Sequence, residues 1–272
     1  MVALLTKRQL EAGLLGDMPT ILTASTAHAW VVGLVKQTST AIVAKGDMQV
    51  GGFVGKRVAY VATSSAHHTL LQGLASAGLN ENQVKLVAMR IDEMPDALER
   101  GDIDAFAAWE PAPSIALSNS DNNRIVFRGV STDYFVIARD FEQRQPETAR
   151  HLAAGFYRAI EWMRRSSGNL DQAARWLMAD AEAMSGKPMA LSPAQIAAIT
   201  RREILNIPSA PAIPNKAGVP PLKNEFLFLE KLAKLPAGAK QDNVSAAFSY
   251  DGLARVLAEP KKYQLRSFDY QE

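Results

Sequence analysis

A run of hydroxyls, Thr63-Ser64-Ser65, separates a short apolar stretch, residues 56–62, from a segment with leucines at Leu70, Leu71 and Leu74. Steps of three and four residues mark one face of a helix, so the hydroxyls stand where a helix begins. The first N–H groups of a helix lack internal acceptors and lie at the positive end of its dipole. With serine hydroxyls beside them they can hold an anion. The same residues serve equally as ordinary N-caps. His67 and His68 fall in the first turn of that helix. Neighbouring helical positions diverge by about 100°, so the pair does not converge on one metal ion. Each is either a neighbour of a bound ligand or a packing histidine.

Three carboxylates surround the next chemical candidate. Asp102 precedes the expected strand 103–109, Asp104 precedes its apolar run from Ala105, and Glu110 follows Trp109. Ligands bind outside the carboxyl ends of parallel strands in open α/β sheets, where Trp109 and Glu110 could receive a cation or a hydrogen-bond donor. Alternatively, Glu110-Pro111-Ala112-Pro113 only ends a strand. Gly16-Asp17-Met18-Pro19 is a second helix start, with Asp17 as N-cap and Pro19 at the first helical position. It could likewise aim a helix terminus at a ligand. Tyr134 and Phe135 head a later strand and line either a cleft or the core.

Other chemistries are excluded by what the chain lacks. There is no cysteine, hence no thiolate metal site and no cysteine nucleophile. The remaining histidines, His28 and His151, complete no metal-ligand spacing. No Gly-x-Gly-x-x-Gly, P-loop or Gly-x-Ser-x-Gly pattern occurs, so no cofactor is expected. Thirty Lys and Arg stand against 28 Asp and Glu in 272 residues. That near-balance is not the clustered basic surface that nucleic-acid binding requires. No apolar run reaches the length of a membrane span. Residues 1–8 lack the order of a secretory signal.

The elements that position these residues alternate. Strands are expected at 30–36, 40–45, 56–62, 84–89, 103–109, 125–127 and 133–138, and helices at 1–11, 20–27, 67–77 and 92–100. Gly78 and Gly101 close the last two helices. This is a βαβ pattern with a mostly parallel sheet. Helices then dominate: 146–165, with Ala149, Leu152, Ala153, Phe156, Ile160 and Met163 on one stripe, 171–183 behind Asn169, 193–205 behind Ser192, 224–234 and 250–258. Five prolines mark 208–221 as a link, and the last dozen residues are expected to form a loose tail.

GKRVAYVATSSAHHTLLQGLASAGL (55–79), followed by VKLVAMRIDEMPDALERGDIDAFAAWEPAP (84–113), closely resembles the ABC-transporter substrate-binding proteins for nitrate, aliphatic sulfonates, taurine and bicarbonate. The shared features are Gly-Lys-x-Val-Ala, a Thr-Ser-Ser turn, a helix ending Ala-Gly-Leu, Ala97-Leu98, Gly101, Ile103-Asp104-Ala105 and Trp109-Glu110-Pro111. LEAGLLGDMPTILTAS (10–25) is similar to the family's Leu-x-x-Gly-x-x-Gly-x-x-Pro segment, and the likeness extends over residues 2–205. It implies an α/β, two-lobed type 2 periplasmic binding fold that hinges shut on one small ligand. Residues 1–50 would open the first lobe, 51–130 form the second, and 131–272 return to the first with a helical extension.

The resemblance further implies a small anion, a sulfonate, taurine or nitrate, held on Thr63, Ser64 and Ser65 beside His67. Glu110 and Trp109 would face an amine or hydroxyl, and Asp17, Met18 and Tyr134 would contribute from the first lobe. The implied partner is an ABC permease in the inner membrane, and the implied compartment the periplasm. An enzyme or a sensory protein on the same fold, related to thiamin-precursor or sulfinate proteins, is the alternative. The family carries a strand, a helix and a second strand before the segment that starts at Met1 here. A first lobe without them is expected to expose sheet edge and to self-associate.

Overall fold

The alternation read from residues 55–113 folds as strand–helix–strand units, and the chain has twelve α-helices and six strands among its described residues. The computed structural model describes residues 1–213 and 218–268. In chain order the elements are α1 (Val2–Thr6), β1 (Ala12–Gly16), α2 (Asp17–Ala24), β2 (Ala29–Lys45), β3 (Arg57–Tyr60), α3 (Ser65–Ser76), β4 (Lys85–Ala88), α4 (Met94–Arg100), β5 (Ala105–Ala108), α5 (Ala112–Asn119) and β6 (Asn123–Ala138). Helices follow: α6 (Arg139–Arg144), α7 (Pro146–Arg165), α8 (Ser167–Ser185), α9 (Pro193–Thr200), α10 (Lys223–Lys231), α11 (Gln241–Ala247) and α12 (Gly252–Ala258). The strand order is β1-β6-β2-β5-β3-β4. Two compact units emerge, one made of Met1–Gln37 with Thr132–Glu272 and the other of Thr38–Ser131. Both boundaries fall inside a strand, β2 and β6, so the first lies upstream of residue 50.

In the unit Thr38–Ser131, β4, β3 and β5 run parallel while β2 joins β5 antiparallel, with Ala41 opposite Ala108. Side chains alternate between two cores because successive strand residues face opposite ways. Ile42, Val58, Ala105 and Ala107 pack under α3 with Phe53, Leu70 and Leu74. Val43, Ala59, Phe106 and Ala108 pack with Met94 and Leu98 of α4 and Ala112 and Ala116 of α5. Gly73 lets α3 approach the sheet: a Cβ there would lie 2.5 Å from Ile42 Cδ1. Gly101, at φ 75°, closes α4 in the left-handed conformation that glycine adopts without strain.

In the other unit, β1 pairs antiparallel with β6, Leu15 opposite Tyr134. Phe156 of α7 stacks on Phe135 at 4.9 Å and lies against Gly33 of β2, where a Cβ would meet its ring at 2.5 Å. Ala149, Ala153, Ala154 and Ile160 are buried along α7, whereas Leu152, expected on that stripe, is 40% exposed.

Several boundaries differ from expectation. Residues 30–36 and 40–45 are one strand, because nothing between them breaks extended backbone; 125–127 and 133–138 likewise merge into β6. The sheet is mixed rather than mostly parallel, since β1 and β2 pair with antiparallel partners. Helix α1 ends at Thr6, and Ser166, not Asn169, caps α8, accepting from Asn169 N. The segment 193–205 is α9 followed by one π turn, Arg201–Leu205. Helix α11 had no sequence signal. The tail is not loose through residue 268: Tyr263 is 2% exposed and donates to Glu147 Oε2 at 3.2 Å. Residues 269–272, and 214–217 of the proline-rich link, lie outside the described residues.

Candidate functional site

Strands β3 and β5 are parallel neighbours, Val58 opposite Ala105 and Ala59 opposite Phe106. The turns that leave their carboxyl ends therefore emerge on the same edge of the sheet, where an open α/β sheet binds ligands. One is Thr63-Ser64-Ser65 and the other is Trp109-Glu110.

The hydroxyl turn divides its work. Ser64 is the N-cap of α3: its Oγ accepts from His67 N at 3.2 Å and donates to Val61 O at 2.7 Å. The amide of His68 bonds to Ser64 O at 3.1 Å. Ser65 is the first helical residue and half-buried, and its hydroxyl has no hydrogen-bond partner among the described residues. The leading amides of Ser65 and Ala66 precede the first intrahelical bond and retain their donor capacity. Ser65 Oγ–H and two amides are thus uncommitted among the described residues, whereas Ser64 is occupied in holding the turn.

Thr63 has φ 61°, in the left-handed region, which a β-branched residue enters only under constraint. Its N–H donates to His67 Nδ1 at 3.4 Å. An amide can only donate, so Nδ1 carries the lone pair and the neutral ring holds its proton on Nε2. The imidazole is buried, 7% exposed, with its ring 4.5 Å from that of Tyr60. Burial pushes its pKa below the usual histidine range, against the opposing pull of Glu81; His68 adds to the depression. His67 therefore acts on the shape of the turn. Sequence spacing alone could not assign it that role, because neither the sign of Thr63 φ nor the ring's burial is local.

Trp109 is half-buried against the α3-side core. Glu110 Oε2 accepts from Ser114 N at 3.2 Å, capping the first turn of α5. Asp104 does not join it. It precedes β5, at the opposite end from Glu110, and its carboxylate takes the backbone N–H of Arg57 at 2.8 Å and the guanidinium at 3.1 and 3.2 Å. Those bonds, those from the Arg57 side chain foremost, hold Asp104 below the usual carboxylate range. Asp102 pairs with Arg100 at 2.8 Å. The expected group of three carboxylates is thus split, because a strand separates them.

In the other unit, α2 starts at Asp17 itself and its N-cap is Gly16, so Pro19 is the third helical residue rather than the first. Asp17 is 3% exposed and its Oδ1 accepts from Met18 N at 2.7 Å. Met18 is packed in the core at 1% exposure. Tyr134 is buried edge-on to Phe248 at 5.1 Å, and burial drives its phenol pKa up, so it stays a neutral donor. The expected site residues accordingly fall in two sets, Thr63, Ser64, Ser65, His67, Trp109 and Glu110 in one unit and Asp17, Met18 and Tyr134 in the other. Among the described residues no group of three or more His, Asp or Glu is placed to hold a metal ion, and no helix is long and apolar enough to cross a membrane.

The pattern of the NMT1-like family matches residues 20–178, more than half of the chain. The chain belongs to this family. This NMT1-like protein is 29% identical over 161 residues to a taurine-binding periplasmic protein of Escherichia coli, across 56% of its own length and 50% of the relative's. It spans about half the length of the curated relatives it matches. Its fold is that of the crystal structure of the periplasmic aliphatic sulphonate binding protein of Escherichia coli: the TM-score is 0.67 at 20% identity, covering 93% of this chain and 84% of that one. A desulfurization enzyme shares the fold at a TM-score of 0.63 and 13% identity, covering 91% and 85%. The expected α/β periplasmic binding fold is therefore the observed one.

Proposed function

We propose that this chain is the solute-binding component of an ABC importer, taking a small sulfonate or related oxyanion in the periplasm and delivering it to an inner-membrane permease. The observation that carries this reading is the start of α3, where Ser65 Oγ and the amides of Ser65 and Ala66 remain uncommitted at the carboxyl edge of the parallel strands. Membership of the NMT1-like family and the taurine- and sulphonate-binding relatives support the anion class. In this reading the protein binds and releases its ligand unchanged, and Glu110, beside Trp109, turns its carboxylate toward the ligand's amine or hydroxyl when one is present.

A thermal-shift screen with taurine, alkanesulfonates, sulfate, nitrate and bicarbonate tests the proposal. A ligand that binds only the folded state raises the melting temperature by mass action, about 2.7 kcal/mol of added stability at a hundredfold excess over Kd. A shift confined to sulfonates supports it. A cooperative melt that none of these anions moves overturns it.

A further inference from the structure

A cavity of about 780 Å³ lies within the unit formed by Met1–Gln37 and Thr132–Glu272. That volume suits a small organic molecule. Val32 and Leu34 of β2 and Tyr134 of β6 form one wall, every second residue of each strand facing the same way. Phe248, Tyr250 and Leu253, from the end of α11 and the start of α12, line it as well. These aromatic and apolar side chains share the lining with the hydroxyls of Thr132, Ser209, Ser245 and Ser249 and the amide of Gln37.

Its charge is one-sided. Glu225, in the first turn of α10, is the charged residue among the described lining residues, which include no lysine or arginine. It is half-buried, and among the described residues it has neither an ion pair nor a hydrogen-bond partner. Burial foremost raises the Tyr134 phenol, and Asp17, Glu225 and Asp133 add to that shift. Burial also pushes the Tyr250 phenol up to about 12, so both phenols stay protonated and supply no countercharge of either sign. The cations near Tyr250, Arg150 and Arg255, line a separate recess of about 260 Å³ and are already paired, with Glu147 and Asp251. The Tyr250 ring is held in place by its stack on Trp30 at 5.4 Å, with the Arg139 guanidinium 3.8 Å from the Trp30 ring centroid.

A carboxylate with no partner among the described residues, in a cavity that three aromatic rings and apolar side chains also line, is complementary to an ammonium group on an apolar body. The carboxylate supplies a charge-assisted hydrogen bond and the rings a cation–π attraction. We propose that this cavity binds an organic ammonium compound, with Glu225 receiving the cation and the apolar walls its hydrocarbon portion. The site is separate from the α3 anion site and does not depend on the sulfonate reading.

The test uses three molecules with one hydrocarbon body: hexylammonium, 1-hexanol and hexanesulfonate. Each is titrated by calorimetry into the whole chain and into Glu225→Gln, which keeps the size of the side chain and removes its charge. Hexylammonium is expected to bind about tenfold or more tighter than 1-hexanol, as one charge-assisted contact requires. Glu225→Gln should abolish that difference without changing the melting temperature of the free protein. Ala254→Phe, which fills the cavity from α12, should abolish binding of hexylammonium and leave any hexanesulfonate binding at α3 intact. Equal affinity for hexylammonium and 1-hexanol, or a preference that survives Glu225→Gln, overturns the proposal, as does no binding of hexylammonium at all. Loss of sulfonate binding alone bears on the α3 site and leaves this one standing.

Discussion

Two adjacent serines at the start of α3 should respond to the same substitution in opposite ways. Ser64→Ala removes two bonds of the folded chain, the cap to His67 N at 3.2 Å and the donation to Val61 O at 2.7 Å. A lost serine N-cap costs about 1 kcal/mol, and a second half-buried bond about 1 kcal/mol more. The expected loss of stability is about 2 kcal/mol. Ser65→Ala removes no bond within the chain and exchanges a middling helix former for the best one. It should leave stability unchanged or raise it by roughly 0.5 kcal/mol. Its effect falls on the ligand. A hydrogen bond to a charged group contributes about 1.5–3 kcal/mol, so anion affinity should drop roughly tenfold to a hundredfold. Urea unfolding of the free variants reads the first quantity, and calorimetric titration with the anion that gives the thermal shift reads the second. If Ser65→Ala binds the anion as tightly as the parent, or if Ser64→Ala unfolds at the parent's urea midpoint, the division of labour argued from the hydrogen bonds is wrong.

Three further outcomes follow from the geometry. The His67 pKa is depressed in the folded state, so the unfolded chain takes up a proton first as pH falls; stability should be full above the usual histidine value of 6.5 and decline below it until the folded ring also protonates. His67→Asn, whose Oδ1 can accept from Thr63 N, should flatten that slope in urea unfolding measured from pH 7 to 5, and an unchanged slope would assign the titration elsewhere. Gly129→Ala would put a Cβ 2.3 Å from Thr69 Oγ1, which is bonded to Thr40 Oγ1, and should destabilise by about 1–3 kcal/mol; Thr69→Ala in the same chain should relieve part of that loss, and strict additivity in the double-mutant cycle would show the clash is absent. Tyr263→Ala should cost about 3–5 kcal/mol, as for any fully buried aromatic, whereas a tail that does not pack would leave the urea midpoint unmoved.

Much of the fold was legible because its signals are local. Leu70, Leu71 and Leu74 at helical spacing, glycine stops at Gly78 and Gly101, and Pro146 opening a long amphipathic segment each fix an element within a few residues. Helix α7 runs over the expected residues, and α3 and α4 lie within one or two residues of theirs. Misplaced boundaries share a cause. Continuous strands such as β2 and β6 carry polar residues in mid-course, and periodicity reads a polar interruption as a break although the backbone stays extended through it.

The site divides in the same way. Residue types and order alone determined that hydroxyls and helix-start amides follow one strand, that Trp109-Glu110 follows another, and that no cysteine or nucleotide-binding loop is present. Only the tertiary structure put β3 beside β5, and with that pairing brought the two turns to one edge of the sheet while leaving Asp104 at the other. It also decided which serine is spent on the backbone, turned Thr63 to positive φ, and buried the imidazole that holds it there. The cavity around Glu225 had no sequence signal, since its walls come from segments near residues 32, 134, 225 and 250. A hydrogen-bond donor or a charge is chemically available only if folding has not already paired it, and that pairing depends on neighbours distant in the chain.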